Sequence, residues 1–301
     1  MIADELLAEV YAHARATFPA ECCGYLTDRR VVRCTNVAAS EDVVAGRGDD
    51  TAFAIGGAEL LAFARSFDGP EPAHLVYHSH TNGRAYFSAV DRELATAYPV
   101  EHLVVGITAE GVHEAARFDR ELREVERWGM ADLAAAVDHV IAGGADWERR
   151  WQDAAARARA HAVAGGLVGD LSDLQTRLAA VPVSDEARAA HDDYVRPRKY
   201  VRGVPPRSDA RVPSLWVATM LRRTAPELAY AAERFRNPGP CDCAILVRLQ
   251  RRDRRPSAPL RDLDGDGMYW NDWVCEACGQ RWTEHKDCDD VGVWSSWEAT
   301  C

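Results

Sequence analysis

The sequence predicts a mixed α/β protein in which a sheet flanked by helices is followed by a helical segment and a small cysteine-rich module. Three observations carry this. Residues 1–120 alternate between helical and extended patterns. Residues 121–195 turn rich in Ala, Arg, Asp and Glu, with glycine pairs as breaks. Residues 196–301 are dominated by Pro, Arg, Trp and Cys.

Taken in order, Ile2, Leu6, Leu7, Val10, Tyr11 and Ala14 fall on one helical face, and Pro19 lies just beyond its end. "CGYLTD" and "VVRCTNVA" read as a hairpin around Asp28–Arg29. "TAFAI" reads as a strand and "AELLAFARSF" as a helix. "AHLVYHSH" has the nearly continuous apolar start of a strand buried in a sheet. "SAVDRELATAY" is a helix, and "EHLVVGIT" and "VHEAARF" are strands. "MADLAAAVDHVIAGG", "DWERRWQDAAARARAHAVAGG" and "DLSDLQTRLAAV" are helices of a spacer or packing layer with no ligand spacing. The segment 196–301 reads as a separate module whose core is too polar to stand without a staple.

The bulk composition narrows the classes. Hydrophobic residues make up 47 % and charged residues 28 % of 301, which describes a globular chain and not a disordered one. No apolar run approaches the roughly 18 residues a membrane helix needs, and the acidic start of "MIADELLAEVYAHARATF" is unlike a secretory signal. A cytoplasmic protein is expected. A net charge of −11 argues against general nucleic-acid affinity, although "VRPRKYVRGVPPRSDAR" and "VRLQRRDRRP" are basic. Nine cysteines, several in close pairs, suggest metal binding or core packing before disulfides.

"YHSHTNGRAYFSAVD" carries the chemistry. Residues two apart on a strand share a face, so His78 and His80 project together. Ser88 and Asp91, three residues apart, both fall in the first turn of the next helix. They suit an N-cap and its capping-box acid. The same Asp91 with the two histidines also supplies the three protein ligands of a catalytic zinc, whose fourth position stays open to water. The pattern H-x-H-x7-S-x2-D arises by accident in about one chain in a thousand of this length.

"HSHTNGRAYFSAVD" resembles the metal signature of the JAMM (MPN+) metalloprotease family, and "FPAECCGYL" resembles the segment that holds its upstream glutamate. The likeness covers residues 1 to about 120. It implies an MPN-type sheet flanked by helices with cytidine-deaminase-like layering. It also implies that His78, His80 and Asp91 hold zinc, that Glu21 is the general base and that Ser88 steadies the oxyanion. Thr81 and Phe87 stand where family members commonly carry proline, a departure that touches the path of the loop and no ligand. Cys22 and Cys23 read as buried strand residues.

In the last segment, "CDC" at Cys241–Cys243 and "CEAC" at Cys275–Cys278 offer four thiolates in two pairs, the set of a zinc-ribbon-like structural site. "DLDGDG" at Asp262–Gly267 resembles the start of a calcium loop, but its twelfth position is Trp273 and not Glu, which favours an acidic turn. Trp270, Trp273, Trp282, Trp294 and Trp297 read as core aromatics. By resemblance the leading expectation is a zinc peptidase or isopeptidase acting at the C-terminal Gly-Gly of a ubiquitin-like or sulfur carrier protein. The alternatives are a zinc-dependent small-molecule amidohydrolase and a non-catalytic binding protein using the C-terminal module. A zinc nucleoside deaminase is set aside, because H-x-E is absent and Val274 replaces the proline before C-x-x-C.

Overall fold

The computed structural model describes residues 2–39, 48–195, 212–263, 270–289 and 292–300. The basic stretch at 196–211, residues 264–267 of the acidic run, and Cys301 lie outside these. The side chains of Trp270, Cys288 and Trp294 do so too. Packing divides the chain into two units, Met1–Asp170 and Leu171–Cys301, so the alanine-rich stretch is shared between them. Among the described residues no helix is long and apolar enough to cross a membrane.

The first unit opens with helix α1 (Asp4–Thr17), whose buried stripe is Leu6, Leu7, Val10, Tyr11 and Ala14. Strands β1 (Cys23–Leu26) and β2 (Val31–Cys34) form the expected hairpin. Its turn closes through a bond from the Thr27 amide to the Arg30 carbonyl at 3.1 Å. Helix α2 (Gly57–Ser66) leads to strand β3 (Leu75–His80), every residue of which is buried. Helix α3 (Ala89–Leu94), extended by a 3-10 turn at Ala95–Ala97, crosses over to strand β4 (Glu101–Thr108), parallel to β3. Strands β5 (Gly111–Phe118) and β6 (Glu124–Gly129) continue antiparallel. The sheet order is β2-β1-β3-β4-β5-β6.

Alternation along the strands divides the core. Cys22, Leu26, Leu75, Tyr77, Leu103 and Val105 pack on one face under α1, and Cys23, Tyr25 and Val76 pack on the other with Phe53, Phe63 and Tyr98. Helices α4 (Met130–Ile141) and α5 (Trp147–Val163) follow, and α5 joins the α1 side through a 2.8 Å bond between the Tyr11 hydroxyl and His161 Nδ1.

Two elements of this unit depart from expectation. "TAFAI" is not a strand: it makes one isolated bridge, Asn36 with Ile55. Two of its amides bond to side chains, Ala54 N donating to Asn36 Oδ1 at 3.1 Å and Ile55 N to the Tyr98 hydroxyl at 3.2 Å. An extended buried segment thus needs no ladder. Strand β6 is unexpected because its side chains are charged, as an edge strand's are. Arg117 on β5 binds Glu126 at 2.8 Å, and Arg127 binds Glu114 at 2.8 Å.

The second unit holds helices α6 (Ser172–Ala179), α7 (Asp185–Val195), α8 (Pro213–Arg236) and α9 (Cys243–Arg248). A four-stranded antiparallel sheet of β7 (Leu260–Asp262), β8 (Trp270–Cys275), β9 (Arg281–Asp289) and β10 (Gly292–Thr300) completes it, in the order β10-β9-β8-β7. The 24-residue α8 is unexpected in a Pro- and Arg-rich stretch. Pro213 sits in its first turn, where the missing amide costs nothing, and Val217, Leu221, Thr224 and Leu228 form a buried stripe at helical spacing.

Candidate metal centre

Strand β3 delivers both histidines to one face at its C-terminal end. His78 is fully buried, and His80 and Asp91 are nearly so. Their Nε2 atoms are 3.2 Å apart; His78 Nε2 lies 3.3 Å from Asp91 Oδ1 and His80 Nε2 lies 3.2 Å from Asp91 Oδ2. Three donors each ~2.0–2.1 Å from one tetrahedral ion would stand ~3.3 Å from each other. The observed spacing meets that condition. The chemistry of the set agrees: two imidazole nitrogens turned on one another and on a carboxylate are all satisfied by a cation between them, and these residues fit zinc.

The ligands are held from behind. Phe53 stacks on the His78 ring at 4.2 Å and 15°, and Tyr86 lies edge-on to His80 at 4.8 Å. Ser88 and Asp91 do form the expected capping box, Asp91 N donating to Ser88 Oγ at 3.1 Å and Ser88 N to Asp91 Oδ2 at 2.6 Å. The cap and the ligand readings therefore coincide: the cap fixes the carboxylate that faces the histidines.

Electrostatics follow from burial. Desolvation pulls His78 below the usual imidazole range, against the attraction of Asp91. Burial opposes ionisation of Asp91, yet the charges and hydrogen bonds of His78, with bonds from His80 and Ser88, hold it far below the carboxylate range. His102, on the neighbouring strand, is lowered to about 4 by burial, with His78 adding to the shift. Burial thus favours the neutral form of His78, the form that ligates.

Glu21 is 5 % exposed, not the surface acid that its residue type alone suggests. Cys23 pairs with His78, and Ser79 N donates to the Cys22 carbonyl at 3.1 Å. Continued two residues past the start of β1, that register would set Glu21 opposite His80. Cys22 and Cys23 are buried on opposite faces, and burial pushes the Cys22 thiol up to about 12. They are inert packing residues, as the sequence suggests.

Other positioning residues have no local signal. Ser79 Oγ accepts from Cys22 N at 2.9 Å and ties the Glu21 segment to β3. Asn36 Nδ2 donates to the carbonyls of Glu21 at 3.1 Å and Ala52 at 2.9 Å. Glu114 accepts from Ala85 N at 2.8 Å while Arg127 donates to the Ala85 carbonyl at 3.0 Å, anchoring the loop between the ligands.

The second unit brings Cys241, Cys243, Cys275 and Cys278 into one cluster, with ligand atoms within 4.8 Å of one another. Trp282 and Trp297 are buried in its core and Trp273 packs against Trp297 at 6.2 Å.

Residues 3–121 match the family model described as prokaryotic homologs of the JAB domain. Among solved structures, a Desulfitobacterium hafniense protein determined in solution is 22 % identical, with 40 % of this chain and 86 % of that chain covered at a TM-score of 0.31. A JAB1/MPN domain protein from Archaeoglobus fulgidus is 15 % identical, with 41 % and 92 % covered at a TM-score of 0.25. No curated protein matches the chain.

Proposed function

Taking residues 3–121 as a JAB-homologous domain, we propose that the first unit is a zinc-dependent metallopeptidase or isopeptidase. Its substrate is a peptide or isopeptide bond at the C-terminal Gly-Gly of a ubiquitin-like or sulfur carrier protein. The observation that carries this is the convergence of His78, His80 and Asp91 at 3.2–3.3 Å in a buried pocket. Three protein donors leave a fourth position for chemistry. Zinc bound there supplies Lewis acidity and lowers the pKa of water toward ~7.

The chain's own groups do the rest. Glu21 takes the proton of the attacking water and passes it to the leaving amine. The Ser88 hydroxyl donates to the oxygen of the polarised carbonyl. Asp91 and the two histidines stay fixed, held by the capping box and the stacked rings, so that little reorganisation accompanies reaction.

The compact catalytic region, which has no large insertion, motivates a small β-grasp partner. Incubation of the zinc-loaded chain with β-grasp proteins extended beyond Gly-Gly is expected to shorten them to that glycine, read by intact mass. A panel left uncut while a small acyl-amide is hydrolysed would move the assignment to small-molecule amides.

A further inference from the structure

The geometry points to a second metal centre of a different kind: a closed tetrathiolate zinc site of Cys241, Cys243, Cys275 and Cys278, on which folding of the C-terminal sheet depends. It is independent of the hydrolytic reading of the first unit.

The four sulfurs come from two places far apart in sequence. Cys241 and Cys243 stand at the start of α9, and Cys275 and Cys278 end β8 and form the turn into β9. All four are free thiols, and all lie within 4.8 Å of one another. Thiolates each ~2.3 Å from one tetrahedral ion stand ~3.8 Å apart, so a single ion accommodates the set with small adjustment. Four protein sulfurs fill a tetrahedron and leave no open position, which is the structural and not the catalytic arrangement.

The turn itself is shaped for sulfur ligands. Gly279 N donates to the Cys275 carbonyl at 2.8 Å, and Cys275 N donates to the Gln280 carbonyl at 2.9 Å. Gly279 holds φ at +76°, a left-handed conformation that lets the chain reverse directly after the second cysteine.

Energetics ask for the same ion. The apolar cluster here is Tyr230, Cys243, Ile245, Leu246, Ala258, Cys275, Trp282 and Trp297, so two of the would-be ligands are themselves part of a small core. Cys241, Leu249, Leu260, Trp273 and Ala299 pack against this cluster, and an ion held by its thiols would add its binding energy directly to folding.

The test uses the full chain carrying Asp91→Asn, which removes a first-unit ligand. It is expected to retain about one equivalent of zinc. Loading it with cobalt should produce an intense thiolate-to-metal charge-transfer band. Adding Cys275→Ser should remove that equivalent and open residues 171–301 to protease. Because that variant could lose metal simply by misfolding, Cys278→His provides the second arm. Cys278 is exposed, and a Cys3His site should keep the ion with a weaker charge-transfer band. An Asp91→Asn chain without metal, a cobalt spectrum unchanged by Cys278→His, or disulfides in place of free thiols would each overturn the proposal.

Discussion

Asp91→Asn is expected to strip the first unit of its metal and reduce hydrolysis to background while leaving α3 folded. The aspartate does two jobs at once. One carboxylate oxygen faces His78, and the other accepts from Ser88 N and faces His80. Asparagine still accepts from the Ser88 amide, so the cap loses no more than about 1 kcal/mol. It carries no negative charge, and a cation between two neutral imidazoles then lacks its compensating ligand. Because outer-shell changes alone cost ~10–100-fold in metal affinity, loss of a ligand should exceed that range. Elemental analysis beside thermal denaturation separates the two roles. A variant that keeps its first-unit metal and its activity would reduce Asp91 to a helix cap.

Gly106→Ala is expected to damage the site from the neighbouring strand. Gly106 pairs with His80 across β3 and β4. A Cβ there would meet the Gly83 carbonyl carbon and oxygen at 2.5 Å and the Arg84 amide nitrogen at 2.6 Å. These are backbone atoms of the loop between the ligands, fixed by a bond from Gly83 N to the Ile107 carbonyl at 3.0 Å, so no side chain can swing aside. Overpacking of this kind costs about 1–3 kcal/mol, or roughly 2–12 °C in Tm for a unit of this size. The displaced loop also carries Tyr86, Phe87 and Ser88. A shift of ~1 Å at the reacting groups costs ~100-fold in rate. Gly57→Ala is the control: its φ of +49° is strained, but nothing lies within 4 Å of the added carbon. Equal stability and activity in both variants would contradict this packing.

What could be read from the sequence was local. The period-two spacing of His78 and His80 and the three-residue step from Ser88 to Asp91 are consequences of strand and helix geometry, and the structure keeps both. The cysteine pairs were legible for the same reason, since each pair sits within one turn. The supports were not legible. Asn36 reaches Glu21 across 15 residues, Ser79 reaches Cys22 across 57, and Arg127 reaches Ala85 across 42. Nothing in a short window announces such pairings. Strand β6 was hidden because its charges are satisfied across the sheet, and α8 because its prolines and arginines mask a buried stripe. "TAFAI" reads as a strand because its apolar residues are buried, although side chains meet the amides of Ala54 and Ile55.

Comparison of Glu21→Gln with the parent chain at equal zinc content tests the central claim most directly. Glu21 is buried and is not a member of the ligand cluster, so the amide should leave metal loading nearly intact. Loss of a general base lowers the rate by ~100–10,000-fold. The account predicts a zinc-loaded, folded variant that leaves an extended Gly-Gly substrate uncut in the time the parent chain consumes it. Full activity in that variant would contradict the account.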